Sequence, residues 1–399
     1  MHDNPVLASQ SKWLCCQIGA REHYAVPRAL ERSGRLLRLF TDIWSKNGYA
    51  NRFHSELSKA HVTAGNVNAL RFELKAHVQR QSGWKLITAR NDWFQTFVLT
   101  QLNKSHVNGD RYGVTVFAYS YAASRIFEFA RKRGWKTVLG QIDLGPADQE
   151  LVATISSRAK YAVGKGEPPP SLYWDQWRSE CYLADRIVVN SEWSRDALIS
   201  RGVEAEKIAM IPLAFESSAD TATFQRHYPS HFDSERRMRV LFLGQINLRK
   251  GVDALFEAIE LLKAEPMEFW FVGPLQVEIP APLRNNERVK WFGSVPRSEV
   301  SKYYRDADLF IFPTLSDGFG LTQLEAQSWK LPVVASRYCG AVVRDDVNGS
   351  TLPEVSGDAI ANVLSGLLRC PQKLELMSKQ SRVSDEFSLA SLETSLLNL

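Results

Sequence analysis

The sequence contains little cysteine, and its cysteines form no pattern typical of disulfides or metal sites. Its 399 residues include five cysteines, Cys15, Cys16, Cys181, Cys339 and Cys370, with no C-x-x-C pair and no cluster with histidine. An odd count with this spacing argues against a disulfide framework and against a zinc site. Cys15 and Cys16 lie in an apolar run, so we expect them to be small core residues.

Long apolar runs are also missing. No stretch approaches the roughly 18–20 apolar residues that a membrane span requires. The first residues, Met-His-Asp-Asn-Pro, lack the charged segment and apolar stretch that are typical of a signal peptide. We therefore expect a cytoplasmic protein with no membrane-spanning helix.

Acidic residues are outnumbered in the first part of the chain. Residues 1–225 carry 29 Lys and Arg against 22 Asp and Glu, whereas the remainder carries 20 against 22. A basic excess favours an anionic partner, and no nucleic-acid motif accompanies it. We expect peripheral contact with an anionic membrane at its inner face, and no nucleic-acid partner.

Short apolar runs alternate with amphipathic stretches of helical length, which is typical of parallel sheets layered with helices. In the first half the pattern predicts strands at 13–18, 36–40, 114–119, 137–142 and 186–189, and helices at 24–33 and 124–133. In the second half it predicts strands at 240–243, 268–272, 289–292, 309–312 and 333–335, and helices at 252–263, 298–305 and 321–330. Residues 51–110 indicate a mostly helical insertion without recognisable chemistry.

The pattern predicts two Rossmann-like α/β domains. Residues 1–216 form the first and 238–384 the second, and the polar, aperiodic stretch 217–237 is predicted to link them. Ligands of such sheets bind beyond the carboxyl ends of the strands, so we expect a ligand cleft between the domains.

One loop of the second half has the composition of an anion-binding site. The segment from Pro313 to Glu325 follows a buried strand, contains Gly318 and Gly320, and opens onto a helix. Glycines let the backbone approach a ligand, and a helix N-terminus presents free N–H groups to an anion such as a diphosphate. Glu325, one turn into the helix, could accept hydrogen bonds from a ribose diol. Asp317 could meet hydroxyls of a sugar.

A second loop of this half carries two adjacent cations. Gly244 to Gly251 follows the first strand of the half and contains Arg249 and Lys250. This pair suits a diphosphate, because Arg binds it through its planar fork and Lys as a point charge. The same charges would stabilise a nucleoside diphosphate as it leaves.

Together these segments resemble the retaining glycosyltransferases of the GT-B fold, and family 4 (glycosyl transferases group 1) in particular. The matching pieces, in family order, are 184–192, 211–213, 240–251, 272–274, 292–295, 307–313, the acidic pair and 332–336. The resemblance implies two domains facing across a cleft. It also implies that the amphipathic end, about 385–399, crosses back to the first domain.

The resemblance assigns residues to a donor site. It implies that the donor is bound by Gly19, Gly244, Arg249, Lys250, Val295, Asp317, Phe319, Gly320, Leu321 and Glu325. Among them Arg249, Lys250 and Asp317 are the expected catalytic residues. Glu325 matches the second acid of the family's E-x7-E motif, which binds the donor ribose. Asp317 stands where the first Glu is expected, and its shorter side chain reaches less far.

The implied activity is that of a retaining transferase of class EC 2.4 in polysaccharide or glycoconjugate biosynthesis. The partners would be a nucleotide-sugar donor and a glycan, lipid-linked or small-molecule acceptor, with no cofactor. The catalytic partner from the N-terminal domain stays open among Tyr119, Tyr121, Gln141, Asp143 and His23.

The sequence Asp306-Ala307-Asp308 resembles a metal-binding D-x-D. Because it joins a helix end to a buried strand, we expect Asp308 to cap the helix and not to chelate. The sequence therefore predicts no metal site and no metal requirement.

Two other functions are weighed against this one. An NAD-dependent dehydrogenase needs a G-x-G-x-x-G after a strand, and neither Gly19-Ala20-Arg21-Glu22 nor Gly244-Gln245-Ile246 supplies it. A sugar epimerase of the GT-B fold, or an inactive nucleotide-sugar-binding protein, remains the alternative because Asp stands at position 317.

Overall fold

The computed structural model describes residues 11–45, 55–105, 113–158 and 167–399. Its first sheet has seven parallel strands in the order β3-β2-β1-β4-β5-β6-β7. They are β1 Lys12–Gln17, β2 Leu36–Thr41, β3 Val62–Ala64, β4 Val114–Tyr119, β5 Lys136–Gly140, β6 Arg186–Val189 and β7 Ile208–Met210. The helices of this part are Ala25–Arg32, Asn66–Val78, Gly83–Lys104, Ser124–Arg131, Pro146–Arg158, Ser171–Leu183 and Glu192–Ile199.

The second sheet has six parallel strands in the order β10-β9-β8-β11-β12-β13. They are β8 Met238–Leu243, β9 Met267–Val272, β10 Val289–Gly293, β11 Leu309–Phe312, β12 Val333–Ala335 and β13 Gly349–Thr351. The helices are Val252–Leu261, Ala281–Arg284, Val300–Asp306, Thr322–Ser328, Gly357–Leu368, Pro371–Gln380 and Leu389–Leu397. The prediction of two parallel α/β sheets is confirmed. Within the described ranges no helix combines the length and the apolar character needed to cross a membrane.

Each sheet is buried on both faces, which explains why its strands are continuous apolar runs. In β1, Leu14 and Cys16 belong to the core on one face, while Trp13 and Cys15 belong to the core on the other. This alternation follows from the two-residue period of a strand. Both cysteines are buried in the core, as the sequence indicated.

The last helix, Leu389–Leu397, packs against the first domain, as predicted. Leu392 and Leu396 lie in the same core cluster as Leu30 of helix Ala25–Arg32. The glutamate Glu393 on this helix also lies 3.5 Å from the guanidinium of Arg32. The first domain thus consists of the N-terminal part of the chain together with the last helix, which follows the second domain.

The segment 217–237 connects the sheets and is anchored to the second one. Arg226 donates hydrogen bonds to five backbone carbonyls, those of Tyr304, Arg305, Ala307, Trp329 and Lys330. The Tyr228 hydroxyl donates to the Asp308 carbonyl over 2.8 Å. Half-buried arginine and tyrosine side chains therefore give this polar stretch a fixed course.

Some elements differ from the sequence-based prediction. Strands β3, β7 and β13 were not predicted, because each has three residues at a sheet edge, too few for a periodic pattern. The predicted helix 321–330 is shorter, Thr322–Ser328, since Lys330 adopts a left-handed conformation with φ 54°. The helical character predicted for 51–110 holds over Asn66–Val78 and Gly83–Lys104. Residues 51–54 and 106–110 lie outside the described ranges.

Replacing the buried leucine of the returning helix should destabilise the first domain. Leu396 is fully buried, whereas its neighbour Leu397 is 41% exposed. Leu396→Ala is expected to lower the free energy of unfolding by about 2–4 kcal/mol. Leu397→Ala, the matched control, should change it by less than about 0.5 kcal/mol. Urea unfolding followed by tryptophan fluorescence measures both, and equal losses would contradict the packing described.

Candidate functional site

Two loops of the second domain meet at the carboxyl edge of its sheet. They follow β8 and β11, which are neighbours in the sheet. Gly251 ends the first loop with φ 73°, and a Cβ there would lie 1.8 Å from the Pro313 carbonyl oxygen. The Leu315 N–H also donates to the Arg249 carbonyl over 2.8 Å. Glycine at 251 is therefore required for the basic loop to lie against the loop that carries Asp317.

The charged side chains of the two loops contact one another. Lys250 forms an ion pair with Asp317, and its ammonium lies 4.9 Å from the centre of the Phe312 ring. The other carboxylate oxygen of Asp317 accepts the Phe319 N–H over 3.2 Å. Arg249 donates to the Ser316 carbonyl over 2.7 Å. Both cations are thus held in place by the loop of residues 313–321.

These loops line a cavity of about 430 Å³ between the domains. Seven of the ten predicted donor-site residues line it: Gly244, Arg249, Lys250, Asp317, Phe319, Gly320 and Leu321. The first domain contributes Arg21, Glu22, Asn190 and Leu213, which the sequence did not single out. The cleft expected from the sheet architecture is therefore present, with a cationic pair on one wall.

Glu325 lines an adjoining cavity of about 250 Å³. This second cavity shares Leu321 and Glu22 with the first. The Tyr304 hydroxyl donates to Glu325 over 2.8 Å. Burial, with the neighbouring Glu325 charge, raises the pKa of Tyr304 well above its usual value, so the hydroxyl stays a donor. Tyr304 thus orients the carboxylate of Glu325 beside the 250 Å³ cavity.

The wall opposite Glu325 comes from the first domain. Arg297 of the second domain lies 2.7 Å from the Nε2 atom of His23. A guanidinium only donates, so the His23 ring is the acceptor in this contact. His23 therefore links the domains at the edge of this cavity.

The loop after β1 has an unusual backbone. Gly19 has φ 71°, and its N–H donates to Asp42 over 2.9 Å. Three successive non-glycine residues, Glu22, His23 and Tyr24, are also left-handed, with φ of 49°, 52° and 59°. Left-handed non-glycine residues cost free energy and cluster at functional sites. No sequence signal reveals them, and they place Glu22 at both cavities.

Two predicted donor residues line neither cavity. Gly19 precedes the strained turn, and Val295 is half-buried against the core that contains Tyr303. Glu22, in the strained turn after Gly19, does line both cavities, and Arg21 of the same loop lies beside it at the 430 Å³ cavity. Burial of the Glu22 carboxyl raises its pKa to about 7.

A further cavity, of about 230 Å³, lies within the first domain. Of the open candidates, Tyr119, Tyr121 and Asp143 line it, together with Arg21 and Ile142, which also line the 430 Å³ cavity. The Tyr121 hydroxyl donates to Asp143 over 2.5 Å, and Gln141, itself buried, donates over 3.0 Å.

Asp143 is the carboxyl group of this cavity. Burial raises its pKa above the usual value, against hydrogen bonds from Tyr121 and the Gly145 N–H that lower it. The ring of Tyr121 stacks on that of Tyr173, with centroids 4.6 Å apart. A carboxyl beside aromatic faces and an arginine suits a ligand rich in hydroxyl groups.

The domains touch around the cleft. A Cβ at Gly318 would lie 2.8 Å from the Ile142 carbonyl oxygen, so the backbones of the two domains approach closely there. The Ser316 hydroxyl donates to Asp148 over 2.5 Å. The Gly318 carbonyl accepts from the Ser194 hydroxyl over 3.3 Å. These contacts fix the 430 Å³ cavity between two opposed loops.

The role expected of Asp308 is corrected by the structure. Its carboxylate does not cap a helix but accepts two hydrogen bonds from Arg236, at 2.8 and 2.6 Å, and one from the Arg239 N–H. Asp306, by contrast, is exposed. Among the residues that the structure describes, no group of three or more metal-ligating side chains occurs.

Comparisons with known proteins agree with this geometry. Residues 237–370 match the family model described as "Glycosyl transferases group 1". A D-inositol 3-phosphate glycosyltransferase from Kineococcus radiotolerans is 30% identical over 273 residues, 59% of this chain and 60% of that protein. The amylovoran biosynthesis glycosyltransferase AmsK of Erwinia amylovora is 25% identical over 214 residues, 48% and 50% of the two chains.

The whole chain is similar in fold to a solved two-domain structure. HepE from Anabaena, solved with UDP and glucose, has a TM-score of 0.61 at 14% identity, covering 98% of both chains. Residues 237–370 are thus similar to the group 1 glycosyltransferases, and the chain has the GT-B fold. In sequence, the chain matches only about half to three-fifths of the length of its curated relatives.

Asp308 should matter for stability and not for metal binding. Asp308→Asn leaves Arg236 without its charge partner and should lower the free energy of unfolding by about 3 kcal/mol. That value is at the low end for a buried pair because Arg236 keeps some contact with water. Asp306→Asn, the control, should change it by less than about 0.5 kcal/mol. Denaturant unfolding tests this, and calorimetric Mn²⁺ binding that either change abolishes would contradict the structural role.

Proposed function

We propose that this protein is a retaining glycosyltransferase of family 4 that takes its sugar from a nucleoside diphosphate donor. The observation that carries the proposal is the interdomain cavity in which Arg249 and Lys250 face Gly320. Two adjacent cations in a cleft of this size match a diphosphate and an attached sugar. The UDP bound by HepE supports a nucleotide donor and makes UDP-sugars the first donors to test.

Arg249 and Lys250 would hold the diphosphate. Lys250 has three N–H donors, and its ion pair with Asp317 leaves others for a phosphate oxygen. The positive charge is positioned before the substrate arrives, so it needs no rearrangement when the leaving group becomes more negative. Both residues therefore stabilise the departing diphosphate more than the bound donor.

Glu325 would bind the ribose of the donor. Its carboxylate lies in the cavity adjoining that of the cations, and Tyr304 fixes its orientation. The order along the cleft is then the nucleoside at Glu325, the diphosphate at Arg249 and Lys250, and the sugar at Asp317 and Phe319.

The acceptor would bind in the cavity of the first domain. That cavity shares Arg21 and Ile142 with the donor cavity, so an acceptor hydroxyl can reach the donor sugar. Asp143 and Tyr121 would orient this hydroxyl. The named activities of the relatives support a polyol or glycan acceptor.

Transfer would break the bond between the anomeric carbon and the diphosphate oxygen and form one to the acceptor oxygen. The hydroxyl proton would pass to an oxygen of the departing diphosphate, because acceptor and leaving group lie on the same face of the sugar. The positive charge that develops on the sugar ring is stabilised by the neighbouring diphosphate. This front-side route retains the anomeric configuration.

The reaction would take place in the cytoplasm, with the first domain in peripheral contact with an anionic membrane. The excess of basic residues in 1–225 supports this placement. It would also bring a lipid-linked acceptor to the domain that contains the acceptor cavity.

The two acidic residues should differ in what they affect. Glu325→Ala should raise the dissociation constant of a bare nucleoside diphosphate about tenfold to a hundredfold, since hydrogen bonds to charged groups contribute roughly 1.5–3 kcal/mol. Asp317→Asn should mainly lower kcat, because Asp317 faces the sugar and holds Lys250. Calorimetric titration and steady-state kinetics separate the two, with the exposed Glu299→Gln as control. Equal weakening of nucleotide binding by both changes would refute this division.

Transfer should need no divalent metal, because Arg249 and Lys250 supply the counter-charge, and it should retain configuration. The assay gives the purified protein UDP-sugar with candidate polyol and glycan acceptors in excess EDTA. Proton coupling of the product's anomeric hydrogen is read by NMR. Activity restored only by added metal would contradict the first claim, and an inverted product the second. An epimerase would instead change the donor without acceptor, and an inactive binding protein would leave it intact.

A further inference from the structure

Helix Asn66–Val78 exposes its large apolar side chains to solvent and does not bury them against the domain. Its exposed residues include Val67, Leu70, Leu74 and Val78, which are 62%, 61%, 58% and 80% exposed. The residues that it buries are small, Ala69 and Ala76. A surface helix ordinarily turns its larger apolar side chains to the core.

The four exposed residues form one continuous stripe. Their spacing of three, four and four residues places them on one face of a helix with 3.6 residues per turn. Ala69 and Ala76 project from the opposite face, which packs on the domain. We call Val67, Leu70, Leu74 and Val78 the outward stripe.

Basic residues surround the outward stripe. Arg71 and Lys75 lie along one side of it, and Arg80 and Lys85 follow in the turn and the next helix. All four are exposed, and none forms an ion pair with another residue of the described ranges. The single acidic residue between positions 66 and 90 is Glu73, which Arg90 neutralises through two hydrogen bonds of 2.9 and 3.0 Å.

The stripe lies next to the acceptor cavity. The helix starts at Asn66, two residues after the end of β3, at the carboxyl edge of the first sheet where the cleft opens. The helix that follows, Gly83–Lys104, contributes Ile87, Arg90 and Phe94 to the wall of the 230 Å³ cavity. A surface that contacts the stripe is therefore one helix away from the bound acceptor.

We propose that the outward stripe and its flanking cations dock this protein on an anionic lipid surface. The stripe would enter the boundary between headgroups and acyl chains, while Arg71, Lys75, Arg80 and Lys85 contact anionic headgroups. This inference rests on the proposed membrane contact and assigns it to a defined helix. The insertion of residues 51–110 would then hold the acceptor cavity at the membrane, where a lipid-linked acceptor resides.

Two other occupants fit the observations less well. A second copy, related by a two-fold axis, would bring the same patch against itself and oppose its cations to one another. A nucleic acid would pair with the cations and leave the four apolar side chains in water. A lipid surface satisfies both parts of the patch.

The test measures binding to vesicles in the absence of nucleotide. Vesicles of phosphatidylcholine with phosphatidylglycerol are compared with vesicles of phosphatidylcholine alone. Leu70→Ser/Leu74→Ser and, separately, Arg71→Gln/Lys75→Gln should each lower the partition coefficient at least about tenfold on anionic vesicles. Binding of the unchanged protein should weaken with added salt, because salt screens the headgroup charge.

Matched controls remove the same groups elsewhere on the surface. Leu261→Ser/Leu376→Ser replaces two leucines that are 57% and 63% exposed on the second domain. Arg131→Gln/Lys132→Gln removes two exposed charges from another helix end of the first domain. Both controls should keep the partition coefficient within about threefold of the unchanged protein, since neither pair contacts the docking surface. Thermal unfolding and nucleotide affinity confirm that each variant is folded.

The outcomes separate the claims. If the unchanged protein fails to bind anionic vesicles, both the membrane contact and the docking helix are wrong. If it binds and the stripe variant binds equally well, the contact holds but the helix is wrong. Sedimentation equilibrium that shows a dimer lost in the stripe variant would assign the stripe to a second copy. Sugar transfer is measured separately, so its absence would count against the proposed function alone.

Discussion

The site depends on the contact between the backbone at Gly251 and the carbonyl of Pro313. The two residues belong to loops at the ends of adjacent parallel strands, so the sheet brings them to one edge. Only a residue without a Cβ lets the loops touch, and the contact carries Arg249 and Lys250 to the loop that contains Asp317. The cation positions, the cavity and its opening to the first domain all follow from this approach.

The electrostatics of the cleft are partly balanced before any ligand is bound. Lys250 is paired with Asp317 and lies over the Phe312 ring, while Arg249 is held by a backbone carbonyl. These contacts limit the repulsion between adjacent cations and keep both side chains at the cavity wall. A dianionic ligand would then meet fixed donors, which is the arrangement that favours charge developing in a transition state.

The first domain contributes a strained backbone turn and a pair of inserted helices. Three left-handed residues after Gly19 place Glu22 at two cavities, where burial raises the pKa of its carboxyl to about 7. The insertion after β3 adds a helical pair, one member of which lines the 230 Å³ cavity while the other exposes its apolar side to solvent. The same domain therefore combines an inward-facing cavity with an outward-facing apolar surface.

The return of the C-terminal helix to the first domain was implied by the family resemblance. The sequence pattern by itself determined the two parallel sheets, most of their strands and the loops of residues 244–251 and 313–325. Apolar runs and glycine positions express these features locally, so a pattern of a few residues reveals them. The edge strands were too short for such a pattern. The tertiary structure alone decided that Asp317 pairs with Lys250, that Asp308 pairs with Arg236, and that Arg21 and Glu22 line the 430 Å³ cavity. It also decided which side of helix Asn66–Val78 faces water. Each of these depends on residues distant in the chain, whose spacing only the folded sheets define.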